Sequence, residues 1–177
     1  MHLHHEPGEA MFLDYAGDRP FTVDPKTRIR SPAELYVAVF PSSGLIYAEA
    51  TISQGTEHTI RCTQHAMEYA GGAPKILVPD NLKAAVNEPS RYEPGINVSF
   101  DVFSQYYGCA VVPARVRKPK DKALVEAAVR LVYTRVLAPL RDQTFTTIDE
   151  LNTAMWEQLD LLNDRPMKKQ AQPHGTV

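Results

Sequence analysis

The sequence contains little cysteine, no long hydrophobic run and almost no net charge. Its 177 residues include two cysteines, Cys62 and Cys109, without a CxxC spacing, so neither a disulfide framework nor a zinc ribbon is indicated and both are predicted to be core thiols. No apolar stretch reaches the roughly 18–20 residues that cross a bilayer, and no signal peptide begins the chain. These absences predict a cytoplasmic protein with no membrane partner, of a length that fits one compact domain.

The net charge of −2 hides an uneven distribution along the chain. A balance so close to neutrality gives, by itself, no sign of nucleic-acid binding. The segment 113–141, however, carries eight basic and two acidic residues, a balance of +6, which leaves −8 for the remainder. One basic segment in an otherwise acidic chain is therefore a candidate region for binding a partner.

Hydrophobic periodicity predicts a mixed sheet with helices packed on it. Strands are predicted at 11–16 and 21–23, and a hairpin joins 33–40 to 45–51 through a four-residue turn. The elements predicted after the hairpin are, in order, helix 56–69, strand 75–78, helix 97–107, strand 109–112, helix 121–138 and helix 148–162. Because strands and helices alternate in the second half, we expect parallel strands there, joined to an antiparallel front edge.

Three carboxylates lie in positions that suggest chemistry. Asp14 interrupts the apolar strand MFLDYA, where a buried charge is costly unless it is paired or binds a metal. Asp80 follows KILVP at the carboxyl end of a short strand, the edge at which ligands collect in open α/β sheets. Glu126 lies on the predicted helix behind a basic loop. Carboxylates without His or Cys form a hard, oxygen-only site suited to Mg²⁺ or Mn²⁺.

Each of these carboxylates also has an ordinary structural interpretation. Asp14 at a strand end accepts a hydrogen bond from a neighbouring backbone N–H, and Asp80 in Pro-Asp-Asn caps the turn that follows. Glu126 forms ion pairs along its helix with Lys122 and Arg130, four residues away on either side. The pattern alone leaves both interpretations open.

Four segments match a known pattern: HHEPGE at 4–9, FLDYAG around Asp14, VPDNLKAAV at 78–86 and ARVRKPKDKALVEAAVR at 114–130. Together they resemble the catalytic core of IstA-type insertion-sequence transposases, in the superfamily of DDE transposases and retroviral integrases. The resemblance implies a ribonuclease H-like α/β fold, with a mixed five-stranded sheet and helices on both faces. It divides the chain into an N-terminal segment at 1–10, a catalytic core at 11–164 and a linker at 165–177.

The resemblance also implies an activity and its residues. Asp14, Asp80 and Glu126 become the catalytic acids of a polynucleotidyl transferase and the ligands of two Mg²⁺ or Mn²⁺ ions, with Asp14 between them. The reaction is cleavage at the 3′ ends of transposon DNA followed by strand transfer to target DNA. Asn81 and Lys83 are candidates for residues that surround and orient these metal ligands. The expected partners are transposon-end and target DNA, further copies of the chain and a helper ATPase of the same element.

Basic residues around the proposed site are candidates for holding DNA phosphates. They are Arg115, Arg117, Lys118, Lys120, Lys122 and Arg130. Two other functions remain open from the sequence: a catalytically silent interaction module of the same fold, and a metal-dependent nuclease without strand transfer.

Overall fold

The structure, a computed structural model, describes residues 6–80, 97–114 and 119–165. Its strands are β1 (Ala10–Tyr15), β2 (Phe21–Val23), β3 (Arg30–Pro32), β4 (Glu34–Phe40), β5 (Leu45–Thr51), β6 (Ile76–Pro79) and β7 (Ala110–Val111). Its α-helices are α1 (Thr56–Ala70), α2 (Val98–Tyr106), α3 (Pro119–Leu131) and α4 (Ile148–Asn163).

Five strands form a mixed central sheet in the order β5-β4-β1-β6-β7. β4 pairs antiparallel with both β1 and β5, whereas β6 pairs parallel with β1 and β7. β1, β4 and β5 are apolar along almost their whole length, and nearly every residue in them is buried. This pattern is typical of strands that are covered on both faces. The predicted order, an antiparallel front edge followed by parallel strands, is confirmed.

Helices cover both faces of this sheet. The hydroxyl groups of Tyr15 and Tyr36 lie 2.9 Å from those of Thr59 and Thr63 on α1, which places α1 on the face to which these tyrosines project. Residues that alternate with the tyrosines, Asp14 among them, project to the opposite face. α3 packs against β1 and β4. The fold therefore brings α3 next to the carboxyl end of β1.

Two local expectations were incomplete. Residues 121–138 do not form one α-helix: α3 ends at Leu131 and continues as a π-helix, Val132–Leu137, and a short 3₁₀ turn, Ala138–Leu140. The Thr134 hydroxyl donates to the carbonyl of Arg130 at 3.0 Å, a bond that competes with the helical ladder, and Pro139 has no N–H to continue it. The second departure is β3, a polar segment that pairs with β2 in a separate two-stranded sheet.

The remaining elements agree with prediction to within one or two residues. Residues 41–44 form the expected hairpin turn, in which Gly44 takes φ of 70°, a left-handed conformation that favours glycine. Cys62 and Cys109 are both buried free thiols, as predicted. Among the described residues, no helix is long and apolar enough to cross a membrane.

Candidate functional site

Asp14 and Asp80 lie at the carboxyl ends of two neighbouring parallel strands. β1 and β6 pair with Leu13 opposite Pro79, and the N–H of Asp80 continues this ladder by donating to the carbonyl of Leu13 at 2.9 Å. One residue beyond that pair, the two aspartates stand side by side. Both are half-buried. The register of a parallel pair therefore explains how residues 66 positions apart in sequence meet at one sheet edge.

The third carboxylate approaches from α3. Glu126 is exposed, on the side of α3 away from the buried Val125 and Ala128. Its negative charge is nevertheless close enough to Asp14 to contribute to the raised pKa of that carboxyl. Lys122, one helical turn before Glu126, also reaches Asp14 with its charge. The negative charges of Asp80 and Glu126 thus both act on Asp14.

The pKa of Asp14 shows how this arrangement acts. Burial, and next the negative charge of Asp80, raise the pKa of Asp14 from 3.8 to about 7, with a smaller upward contribution from Glu126. The N–H of Tyr15, which donates to Asp14 Oδ1 at 2.8 Å, and the ammonium group of Lys122 lower the pKa of Asp14 but do not offset the rise. The site is therefore short of positive charge.

Of the three ordinary structural interpretations, the structure confirms one, contradicts one and does not describe the residues of the third. Asp14 does accept the predicted bond from a neighbouring backbone N–H, but this bond leaves the pKa of the carboxyl raised. The prediction of ion pairs along α3 is wrong, because within the described part of the chain neither Lys122 nor Arg130 forms a salt bridge with Glu126. The turn that Asp80 was expected to cap lies outside the described residues.

The donor chemistry of the site suits a hard divalent cation. Each of the three groups offers carboxylate oxygens, and a nearby cation would offset the burial and the repulsion that together raise the pKa of Asp14. Across residues 6–80, 97–114 and 119–165, no three His, Cys, Asp or Glu side chains are close enough to hold a metal ion together. The carboxylates are thus near neighbours, but they do not form a closed ligand cage.

Tyr133 is a site residue that the sequence analysis missed. Its hydroxyl donates to the carbonyl of Asp18 at 2.9 Å and accepts from the N–H of Asp18 at 2.8 Å. Burial raises the pKa of Tyr133, and the charges of Asp18 and Asp14 add to this rise. Tyr133 therefore fixes the chain directly after β1, beside the carboxylates. Its spacing of seven residues from Glu126, about two helical turns, was the available signal.

The predicted phosphate-binding residues divide into two groups. Lys120, Lys122 and Arg130 are exposed on α3. The charge of Lys122 lowers the pKa of Asp14. The other candidates lie outside the described residues: Asn81, Lys83, Arg115, Arg117 and Lys118.

The chain is similar to several proteins named as candidate transposases. It is 40% identical over 169 residues to that of insertion sequence IS408 from Burkholderia multivorans, covering 96% of this chain and 33% of the relative. It is 39% identical over 164 residues to one from Sinorhizobium fredii, covering 93% and 32%, and 38% identical over 169 residues to that of IS1162 from Pseudomonas fluorescens, covering 96% and 30%. The chain thus spans about a third of the length of these relatives. No family model matches it.

Solved structures with a similar fold include retroviral integrases. The catalytic core of BIV integrase superposes with a TM-score of 0.63 at 18% identity, covering 90% of this chain and 86% of that one. The HTLV-2 integrase catalytic core, solved in complex with magnesium, gives a TM-score of 0.57 at 18% identity, covering 84% of each chain. The chain is therefore similar along nearly its whole length to proteins named as candidate transposases, and it has the ribonuclease H-like fold of a retroviral integrase catalytic core.

Proposed function

We propose that this chain is the catalytic core of a DNA transposase, in which Asp14, Asp80 and Glu126 are the catalytic and metal-binding acids. The observation that carries the proposal is the parallel pairing of β1 and β6, which places Asp14 and Asp80 side by side, with α3, the helix of Glu126, packed against β1. The homology to insertion-sequence transposases and the integrase-like fold support the same reaction class. The IstA type of element is proposed from the sequence motifs alone.

The cofactor that we propose is Mg²⁺ or Mn²⁺, with two ions held by the three acids. The magnesium complex of the HTLV-2 integrase core supports a divalent ion on this fold. When bound, a pair of such ions stabilises the attacking and leaving oxygens of an in-line displacement at phosphorus. The repulsion among the carboxylates of this chain favours binding of a cation.

The chain's own residues then have distinct roles. Asp14 acts as an ionised ligand once its proton is lost, and Asp80 and Glu126 flank it. Lys122 and Arg130, exposed on the helix that carries Glu126, contact backbone phosphates and orient the DNA strand without reading its sequence. In the first reaction water attacks a phosphodiester and releases a 3′-hydroxyl group. In the second this hydroxyl attacks a phosphodiester of the target, whose own 3′ oxygen leaves.

The wider assembly is also part of the proposal. Substrates are transposon ends and target DNA, and the working form is a multimer of this chain that acts with a helper ATPase of the same element. One solved chain with this fold, at a TM-score of 0.62, comes from a simian T-cell lymphotropic virus intasome, which supports multimeric assembly. The division into an N-terminal segment at 1–10, a core at 11–164 and a linker at 165–177 belongs to this proposal.

The proposal is tested with labelled duplexes that carry the ends of the insertion sequence, incubated with the protein and Mn²⁺. Cleaved and joined strands separate on a denaturing gel. Substituting residues that orient metal ligands typically lowers activity by roughly 10–100-fold. Because Asp14→Asn, Asp80→Asn and Glu126→Gln change the proposed ligands themselves, we expect each to lower the yield of both products by more than that. Glu157→Gln, at an exposed position on α4, is the matched control and should keep wild-type activity.

Three outcomes decide among the functions. Full strand transfer by Glu126→Gln contradicts the assignment of the acids. Cleavage without joining identifies a nuclease instead. Loss of Mn²⁺ binding in calorimetry by all three variants, but not by Glu157→Gln, would support the ligand set independently of turnover.

A further inference from the structure

The separate two-stranded sheet forms a ribbon, residues 21–32, that stands apart from the central sheet. β2 and β3 pair antiparallel, with Phe21 opposite Pro32 and Val23 opposite Arg30. The residues at the turn between them, 24–29, are all exposed. The ribbon is inserted between β1 and β4, the two strands that pair beside Asp14.

The tip of the ribbon has a defined conformation. The Asp24 carboxylate accepts hydrogen bonds from the N–H groups of Lys26 at 2.8 Å and Thr27 at 2.9 Å. The N–H of Arg28 donates to the carbonyl of Asp24 at 2.9 Å, and Arg28 has φ of 61°, in the left-handed region that side chains other than glycine rarely adopt. The turn therefore holds Lys26 and Arg28 in fixed positions at the tip.

The ribbon also carries unneutralised positive charge. Lys26, Arg28 and Arg30 are exposed, and in the described part of the chain none of them forms an ion pair. The Arg30 guanidinium stacks over the Phe21 ring at 4.5 Å, which leaves its charge in place. The one acid of the ribbon, Asp24, is engaged by backbone N–H groups. This basic surface is hard to recognise in the sequence because segment 113–141 is more strongly basic.

The base of the ribbon lies beside the carboxylates. Asp18, between β1 and the ribbon, is bonded through its backbone to the Tyr133 hydroxyl, which is in electrostatic range of Asp14. The N–H of Val23 donates to the carbonyl of Phe145 at 2.8 Å and attaches β2 to the body of the protein. At about 3.3 Å per residue, the tip lies roughly 15–20 Å from the base. That distance is about half of a 34–36 Å turn of B-DNA.

We propose that the ribbon binds the phosphate backbone of duplex DNA next to the carboxylate site, through Lys26 and Arg28 at its tip. This inference rests on the proposed function, because DNA is the substrate of the neighbouring acids. A two-stranded ribbon has the width that the major groove accepts, and spaced cations complement the spaced charges of the phosphates. The contact positions the duplex and selects no sequence.

The test is fluorescence anisotropy of a labelled duplex with the 177-residue chain in EDTA, over a series of salt concentrations. The variant Lys26→Gln/Arg28→Asn removes two charges, and asparagine tolerates the positive φ of position 28. We expect its Kd at low salt to rise at least about fivefold and the slope of log Kobs against log salt to fall by about 1.8, or 0.9 for each lost phosphate contact.

Two controls make the result specific. Lys75→Gln/Arg165→Gln also removes two exposed positive charges, but at the end of the sheet opposite the carboxylates, where β6 begins and α4 ends. This variant should change Kd less than twofold. The charge-preserving variant Lys26→Arg/Arg28→Lys should bind like the wild type. Each of three results overturns the proposal: wild-type Kd and slope in the ribbon variant, equal losses in the far-edge variant, or no salt-dependent binding by the wild type.

The assay separates this inference from the proposed function. Because EDTA removes divalent ions, DNA binding is measured without catalysis, and Asp14→Asn should bind the duplex at least as tightly as the wild type. If the ribbon variant binds like the wild type while the acid variants lose cleavage, the ribbon inference fails and the proposed function stands. Weak binding by the ribbon variant, together with active acid variants, gives the reverse conclusion.

Discussion

Asp14 and Asp80 stand side by side because β1 and β6 pair in parallel with Leu13 opposite Pro79. Burial, and next the negative charge of Asp80, raise the pKa of Asp14 to about 7. Two acids placed in this way oppose folding, since burial and the charge of Asp80 both disfavour ionisation of Asp14. The sheet edge therefore holds a charge arrangement that is better suited to binding a cation than to stabilising the chain.

The first prediction is that Asp14→Asn stabilises the metal-free chain. Asp14 has a higher pKa in the folded chain, about 7, than its ordinary value of 3.8, so the unfolded chain loses this proton first as pH rises. Stability therefore falls between about pH 4 and pH 7, and the full cost is present above pH 7. We expect Asp14→Asn to raise the free energy of unfolding by about 1–3 kcal/mol near pH 8, after allowance for solvent screening, and by little near pH 4.

Urea unfolding at the two pH values measures this effect. Asp142→Asn, whose side chain is 93% exposed, is the control and should change stability equally little at both. A destabilised Asp14→Asn protein near pH 8 would contradict the unfavourable environment assigned to the carboxylate.

The second prediction concerns divalent ions. If the three acids bind Mn²⁺, millimolar Mn²⁺ should raise the Tm of the wild type, because a ligand that binds only the folded chain stabilises it. The rise should be larger near pH 8 than near pH 6, since the ion competes with the proton on Asp14. EDTA should reverse it, and Glu126→Gln should reduce it. An equal rise in wild type and in Asp14→Asn would indicate binding elsewhere.

The third prediction concerns the edge strand β5. Asn152 on α4 bonds both backbone groups of Ala50: the N–H of Ala50 donates to Asn152 Oδ1 at 2.7 Å, and Asn152 Nδ2 donates to the carbonyl of Ala50 at 2.9 Å. Asn163 does the same for Ile46, and the Trp156 ring N–H donates to the carbonyl of Ala48. Side chains of α4 thus satisfy backbone groups that an edge strand otherwise exposes.

Because Asn152 is buried, Asn152→Ala leaves two buried backbone groups without partners. We expect a loss of about 2–4 kcal/mol in the free energy of unfolding and increased aggregation near the Tm. Thr153→Ala, at the next and exposed position of the helix, should cost less than about 0.5 kcal/mol. Equal stabilities of the two variants in denaturant titrations would show that the amide bonds contribute nothing to the edge.

The fourth prediction is that neither cysteine reacts in the folded protein. Burial raises the pKa of both thiols, and for Cys62 the charge of Glu49 adds to the rise. Because the thiolate is the reactive species, we expect no labelling of the native chain by a disulfide reagent within minutes near pH 8. Both thiols should react once guanidinium chloride unfolds the chain. Rapid labelling of one native thiol would contradict its burial.

The sequence predicted the central sheet because its strands are local patterns. The apolar runs of β1, β4 and β5 and the turn at 41–44 each lie within a few residues, and Asp80 was identified by its place directly after β6. β3 was missed because its residues, Arg-Ser-Pro, have no apolar alternation, and pairing with β2 is what makes them a strand. A pairing between polar segments leaves no periodic signal.

The site was predictable only in part for a similar reason. Residue types and strand ends indicated Asp14 and Asp80. Whether Glu126 pairs with Lys122 or Arg130 depends on the side-chain conformations on α3, and among the described residues it pairs with neither. The bonds between Tyr133 and Asp18 span 115 residues, and the change to a π-helix at Val132 is a backbone event within an unbroken apolar stripe. The only local signal was the seven-residue spacing of Tyr133 from Glu126, which predicts neither the bonds to Asp18 nor the π-helix, although helix irregularities of this kind are frequent near functional sites.

The last prediction tests the link between Tyr133 and the turn after β1. Tyr133→Phe keeps the ring and removes both hydrogen bonds to the Asp18 backbone, at 2.8 and 2.9 Å. We expect a loss of about 0.5–1.5 kcal/mol and faster amide hydrogen exchange at Asp18, because its N–H loses its acceptor. Tyr106→Phe, at a tyrosine that is 82% exposed, should match the wild type in both measurements. Unchanged exchange at Asp18 in Tyr133→Phe would mean that other contacts hold the base of the ribbon, and the ribbon's DNA affinity should then also be independent of Tyr133.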